Sequence, residues 1–101
     1  MIDLPDDQLA IIRQILKQYI PGREIVVFGS RVRGRAKPYS DIDLCVMGDV
    51  PLEDSVKTAL SEAFSESDLP IKVDIVDWAT TQPGFRKIIE DQAVDLFSNT
   101  R

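Results

Sequence analysis

The chain has 101 residues, the length of one domain, and residues 1–101 are expected to form a single unit. A hydrophobic fraction of 44% and a formal net charge of −5 predict a folded acidic protein that does not bind DNA or RNA in bulk. One cysteine and no histidine exclude an internal disulfide, a His–Cys zinc site and a Ser–His–Asp triad.

The first half of the chain predicts a helix followed by two strands. Apolar residues recur at helical spacing over residues 5–19, and a Pro-Gly pair ends that helix. Residues 24–28 and 42–47 are short apolar segments typical of buried strands. Between them, residues 29–40 are rich in Gly, Ser, Arg and Pro, which predicts a loop with a helical turn near 31–34.

The second half predicts two helices and two further strands. Residues 52–66 and 83–92 have helical apolar spacing, residues 71–76 form a third apolar strand, and residues 93–97 a short fourth one. This order of elements predicts a small α/β (α+β) fold in which helices pack on a small mixed β-sheet.

The sequence also indicates where the protein works. No apolar run approaches the ~20 residues of a membrane span, and the acidic start of the chain lacks the basic and apolar order of a signal peptide. A lone cysteine agrees with a reducing compartment. We therefore expect a cytoplasmic protein with no membrane contact.

Two acidic residues stand at the start of the second predicted strand. Asp41 and Asp43 are two positions apart, so their side chains share one face with Cα atoms roughly 6.5–7 Å apart. The rest of the strand is apolar on both faces, which places the acids at the rim of a partly covered site. Hard cations such as Mg²⁺ bind carboxylates arranged in this way. The alternative is a pair of solvated acids.

A third acid, Asp74, lies in the middle of the apolar segment 71–76. Neighbouring strands are ~4.8 Å apart, so pairing beside residues 42–47 would bring Asp74 to the first two carboxylates. The alternative is a salt bridge from Asp74 to Lys72 or to an arginine. We interpret Asp77 as a strand-end acid on the opposite face, with an exchange of roles between it and Asp74 left open.

Gly29-Ser30 directly follows the first predicted strand and could bind an anion. Glycine lets a phosphate approach the backbone, and the Ser30 hydroxyl can donate to a phosphate oxygen. Arg31 and Arg33, in a run of four basic residues, could neutralise that phosphate. No Walker motif is present, and each of these features alone is more typical of a solvated turn.

Residues 29–44 read GSRVRGRAKPYSDIDL, and this combination resembles the signature of the polymerase-β-like nucleotidyltransferase superfamily. That signature is Gly-Ser, a short stretch and Asp-x-Asp, and Asp74 stands where the superfamily has its third carboxylate. The detailed pattern, with Arg31, Gly34, Ser40 and Leu44, is similar to the minimal nucleotidyltransferase (MNT) branch over nearly the full chain. Larger relatives carry a helical domain that this sequence lacks, so a partner would supply that surface.

The resemblance implies a nucleotidyltransferase fold and transfer of AMP from ATP. Asp41 and Asp43 would bind two Mg²⁺ ions, and Asp74 would ligate the ion near the acceptor hydroxyl and help remove its proton. The implied nucleotide-binding residues are Gly29, Ser30, Arg31, Arg33 and Ser40.

The resemblance also implies a partner. Members of the MNT branch are antitoxins paired with all-helical HEPN ribonuclease toxins, and they attach AMP from ATP to a toxin tyrosine. The expected function is thus that of a protein adenylyltransferase in a type VII toxin–antitoxin pair. Whether the chain forms an oligomer or only a heterocomplex stays open.

Two other functions were considered. Haloacid-dehalogenase-type phosphatases also contain Asp-x-Asp, but they require Thr or Val where this chain has Cys45, and they place the motif near the chain start. The second is a catalytically silent nucleotide-binding module that neutralises its partner by direct contact. The intact carboxylates favour an enzyme over such a module.

Overall fold

The computed structural model describes residues 2–97 and places a four-stranded sheet between helices on its two faces. The helices are α1 (Asp6–Tyr19), α2 (Ser30–Arg33), α3 (Asp54–Glu66) and α4 (Pro83–Gln92), and the strands are β1 (Ile25–Phe28), β2 (Ile42–Val46), β3 (Val73–Asp77) and β4 (Val94–Asp95). The strand order is β3-β2-β1-β4, with β1 antiparallel to both neighbours and β2 parallel to β3. The predicted small mixed sheet with helices packed on it is confirmed.

The first helix begins with two acidic residues and continues through apolar residues at helical spacing. Asp6 and Asp7 lie in its first turn, where the helix dipole favours negative charge. Leu9, Ile12 and Leu16 are buried along one face and pack against the sheet. The helix ends just before the Pro-Gly pair, as the sequence predicts.

Both faces of the sheet are covered, as the apolar pattern of β2 predicts. The larger core joins one face to α1 and α3, and the smaller core lies on the face of α4 and includes Phe28, Cys45 and Ile89. Alternate residues of a strand point to opposite faces, so Asp43 shares the smaller face with Cys45. Burial falls along that face from buried Cys45 to half-buried Asp43 and exposed Asp41. The acids therefore lie at the rim of the small core.

One long-range contact moves the start of α3. The sequence predicts a helix from residue 52, but Asp77 Oδ2 accepts a hydrogen bond of 2.8 Å from Leu52 N–H and holds that residue before the helix. Asp77 Oδ1 also accepts a bond of 3.3 Å from Ala79 N–H, which starts an unpredicted 3₁₀ helix at Trp78–Thr80. Asp77 is buried and acts as a strand-end acid that supports the fold.

The predicted single domain stays a prediction, since Met1 and residues 98–101 lie outside the described residues. No helix within residues 2–97 is long and apolar enough to cross a membrane.

Candidate active site

Asp43 on β2 and Asp74 on β3 lie side by side. The two strands run parallel, and their register pairs Asp43 with Asp74 directly. Neighbouring strands are ~4.8 Å apart, so the two carboxylates share one small region of the sheet. Asp41 precedes β2 and shares the face of Asp43. The structure thus brings the three predicted acids to the end of the sheet where β2 and β3 begin.

Gly29 brings the turn after β1 against the same carboxylates. The register pairs Phe28 with Asp43, so Gly29 follows directly beside it. Its φ of 84° and ψ of −157° are accessible essentially to glycine alone. A Cβ at this position would collide with Asp43 Oδ2 and lie 3.2 Å from Asp43 Cγ. The site therefore needs glycine here for its backbone conformation and for space.

The carboxylates repel one another. Burial raises the pKa of Asp43 above its ordinary value of 3.8, and the negative charges of Asp74 and Asp41 raise it further. A divalent cation would relieve this repulsion, and carboxylate oxygens are ligands that Mg²⁺ prefers. Within residues 2–97, no group of three or more His, Cys, Asp or Glu side chains could hold a metal ion by itself.

Asp74 also makes the ion pair considered as its alternative role. Lys72 Nζ lies 3.7 Å from Asp74 Oδ1, with side chains 74% and 42% exposed. Ion pairs between solvent-exposed groups contribute little to stability. The contact therefore leaves Asp74 available to a metal ion or an acceptor group.

A cleft of about 700 Å³ lies at the free edge of the sheet. It lies between α3 and β3, and its walls include Leu60, Phe64, Ile71 and Asp74. Most of its apolar lining belongs to the larger core on the face of α3, which is the face opposite Asp43, and Asp74 is the one of the three predicted carboxylates that borders it.

The first arginine of the basic run supports the loop that follows it. Arg31 is buried, and its guanidinium donates hydrogen bonds to the carbonyl oxygens of Asp3 (2.9 Å), Pro38 (3.2 Å) and Ser40 (2.8 Å). The sequence predicts that Arg31 contacts the nucleotide. The terminal nitrogens instead bind backbone carbonyls, so we assign Arg31 to holding the loop at residues 34–41.

The remaining predicted nucleotide ligands lie within this loop or just before it. Ser40 Oγ accepts a hydrogen bond of 2.8 Å from Lys37 N–H, so Ser40 closes a turn just before Asp41. Ser30 is half-buried at the start of α2. Arg33 is exposed and has no ion pair within the described part of the chain, which leaves its charge available to an anion.

Gln92 is a residue of this region that sequence reasoning missed. Its Oε1 accepts a hydrogen bond of 2.8 Å from Gly29 N–H across 63 positions. A glutamine at the end of an amphipathic helix carries no local signal of such a contact. An alignment of relatives or a structure is needed to find it.

Replacing Arg31 by methionine should destabilise the protein and displace the loop. Three part-buried hydrogen bonds from a charged donor would be lost, and we expect the free energy of unfolding to fall by about 1–3 kcal/mol. Arg35→Met, at an exposed position of the same run, is the control and should stay within about 0.5 kcal/mol of wild type. Denaturant unfolding of the two variants checks this, and equal stability would contradict the role of Arg31.

Asp43 should make the metal-free protein less stable as the pH rises. Because its pKa is raised in the folded state, the folded chain keeps this proton to a higher pH than the unfolded chain does. The stability that the proton confers is full below the ordinary pKa and is lost as the pH rises through the folded-state value.

The Asp43→Asn variant cannot titrate at this position, which makes it the reference for that effect. Its free energy of unfolding relative to wild type should increase between about pH 3 and pH 7. Unfolding curves in the presence of a chelator measure the difference. A difference that is constant with pH would contradict the electrostatic account.

Comparison with known proteins identifies the family. Residues 9–97 match the model of a nucleotidyltransferase domain. The probable protein adenylyltransferase MntA of Haemophilus influenzae is 50% identical over 88 residues, which are 87% of this chain and 77% of that protein.

Solved structures agree with this match. A crystal structure of a toxin–antitoxin with AMP-PNP superposes with a TM-score of 0.74 at 26% identity, over 91% of this chain and 74% of that one. An MNT antitoxin in complex with a tri-AMPylated Shewanella oneidensis HEPN toxin gives a TM-score of 0.66 at 25% identity, over 91% and 71% of the two chains. The chain therefore belongs to the nucleotidyltransferase domain family and, within it, to the minimal nucleotidyltransferase branch.

Proposed function

We propose that the chain is a Mg²⁺-dependent protein adenylyltransferase that moves AMP from ATP to a tyrosine hydroxyl of a HEPN-family partner. It would thereby act in the cytoplasm as the antitoxin of a type VII toxin–antitoxin pair. The juxtaposition of Asp43, Asp74 and Gly29 at one end of the sheet carries the proposal. The relatives named above, with an adenylyltransferase, an ATP analogue and an AMPylated toxin among them, support it.

The nucleotide would lie across the turn after β1. Gly29 lets the turn pass close to Asp43, and the Ser30 hydroxyl donates to a phosphate oxygen. Arg33 neutralises charge on the departing pyrophosphate. Ser40 contributes from the loop beside Asp41, and Arg31 acts by holding that loop in place.

The transfer would take place between the paired carboxylates. Asp41 and Asp43 would bind the metal together with phosphate oxygens of the nucleotide. Asp74 would bind the metal on the side from which the acceptor hydroxyl approaches. When bound there, two Mg²⁺ ions would stabilise charge on the attacking and leaving oxygens. Asp74 accepts the proton of the acceptor hydroxyl, whose oxygen bonds to the α-phosphorus. The bond from the α-phosphorus to the bridging oxygen breaks, and pyrophosphate leaves with the electron pair.

A cell-survival assay with the cognate toxic partner distinguishes AMP transfer from neutralisation by direct binding. Wild type and the exposed control Asp49→Ala should protect, whereas Asp41→Ala and Asp43→Ala should not. Pulldown of the partner by all four proteins establishes that binding is intact. Full protection by the two site variants would favour the silent binding module and contradict the enzyme.

A further inference from the structure

The turn after β1 is held by a side chain from the far end of the described chain. Gln92, the last residue of α4, is half-buried, and its Oε1 lies 2.8 Å from the Gly29 nitrogen. Gly29 has no side chain with which to restrict its own backbone, and glycine has the largest conformational freedom to lose. The contact from Gln92 therefore adds a restraint on this residue from outside the turn.

Gly29 is constrained through three of its groups, since its carbonyl oxygen also accepts a hydrogen bond of 3.1 Å from Val32 N–H. Its N–H is bound by Gln92, and its Cα faces the Asp43 carboxylate so closely that no Cβ fits between them. The contact with Gln92 thus controls how the turn approaches Asp43. It also controls the direction in which the next residue, Ser30, leaves the turn.

We propose that Gln92 is a positioning residue, which fixes the Gly29-Ser30 turn for the triphosphate of the nucleotide. This inference rests on the proposed function. Because the Gly29 N–H is already bound, the phosphates would be contacted by Ser30 and by groups beyond it. An amide oxygen suits this place because it accepts a hydrogen bond without adding a negative charge beside Asp43 and the triphosphate.

Three variants distinguish the effect of the hydrogen bond to Gly29 N–H from the effect of a charge at position 92. Gln92→Met keeps a similar length and removes the acceptor, and Gln92→Glu keeps an acceptor and adds a negative charge. Gln82→Met makes the same change at an exposed glutamine just before α4 and is the matched control. Gln92→Asn, one methylene shorter, replaces Gln92→Met if that variant does not fold.

Amide hydrogen exchange of Gly29, followed by NMR without metal or nucleotide, reports the contact directly. Exchange should be about tenfold faster in Gln92→Met than in wild type and unchanged in Gln92→Glu and Gln82→Met. Calorimetry with Mg²⁺ and ATP should then show affinity about tenfold weaker in Gln92→Met. Gln92→Glu should also bind more weakly although its Gly29 amide stays protected, and Gln82→Met should match wild type.

A failure of the proposed role of Gln92 can be told apart from a failure of the proposed nucleotidyltransferase function. If Gln92→Met matches Gln82→Met in Gly29 exchange or in affinity for ATP, Gln92 is not a positioning residue. If the Gln92 variants lose thermal stability but bind ATP as wild type does, its role is only structural and the inference is wrong. Absence of ATP binding by wild type would instead contradict the proposed function itself.

Discussion

Asp43→Asn should reduce AMP transfer about a thousandfold while the protein stays folded. The variant keeps the shape of the side chain and removes the carboxylate that lies between Asp41 and Asp74. Loss of a metal ligand removes several kcal/mol of transition-state stabilisation. Since the wild-type carboxylates repel one another, the metal-free variant should be at least as stable as wild type.

The control for this variant is Asp49→Asn, which removes one negative charge at an exposed turn position. It should leave both the transfer rate and the stability near their wild-type values, within about 0.5 kcal/mol for the latter. The rate is measured as pyrophosphate release with partner, ATP and Mg²⁺ present. Full activity of Asp43→Asn would show that the Asp-x-Asp motif has another role.

Gly29→Ala should abolish measurable transfer and destabilise the fold. The φ of 84° with ψ of −157° is unfavourable for alanine by about 1–3 kcal/mol, and the new methyl group would collide with the Asp43 carboxylate. A displacement of about 1 Å at a reacting centre can reduce the rate a hundredfold, so we expect at least that loss. Gly84→Ala, inside α4 with open space around the new Cβ, is the control and should stabilise the helix slightly.

A double-mutant cycle tests whether the loss of stability in Gly29→Ala comes from collision with the Asp43 side chain. If the collision with Asp43 is the cause, removal of that side chain in Asp43→Ala should relieve part of the stability loss. The double variant would then be more stable than the sum of the two single changes predicts. Additive losses would contradict the close approach of Gly29 to Asp43.

The local patterns of the sequence predicted the main elements of the fold. Apolar patterns located the four strands and the three longer helices to within two residues at most boundaries, because a strand covered on both faces gives a short continuous apolar run and burial of one helix face imposes period 3.6. The start of α3 was wrong by two residues because Asp77 binds the Leu52 N–H. Contacts of this kind depend on the finished fold and leave no trace in local spacing.

In the candidate site, too, local patterns predicted some residues, whereas contacts made only in the folded chain determine others. The parity of β2 and the apolar setting of Asp74 were enough to predict that Asp43 and Asp74 would be neighbours on adjacent strands. Arg31 looked like its basic neighbours in sequence, and only its burial distinguishes it from Arg33. Gln92 was missed because its partner, Gly29, lies 63 positions away and contributes only a backbone N–H.

Intact mass analysis of the cognate partner after incubation with this chain, ATP and Mg²⁺ tests the central claim most directly. We predict that the partner gains mass in steps of one AMP and that peptide mapping places the AMP on tyrosine. The gain should disappear with Asp43→Asn or with a chelator and persist with Asp49→Asn. An unmodified partner that is nevertheless bound and neutralised by the wild-type chain would contradict the account.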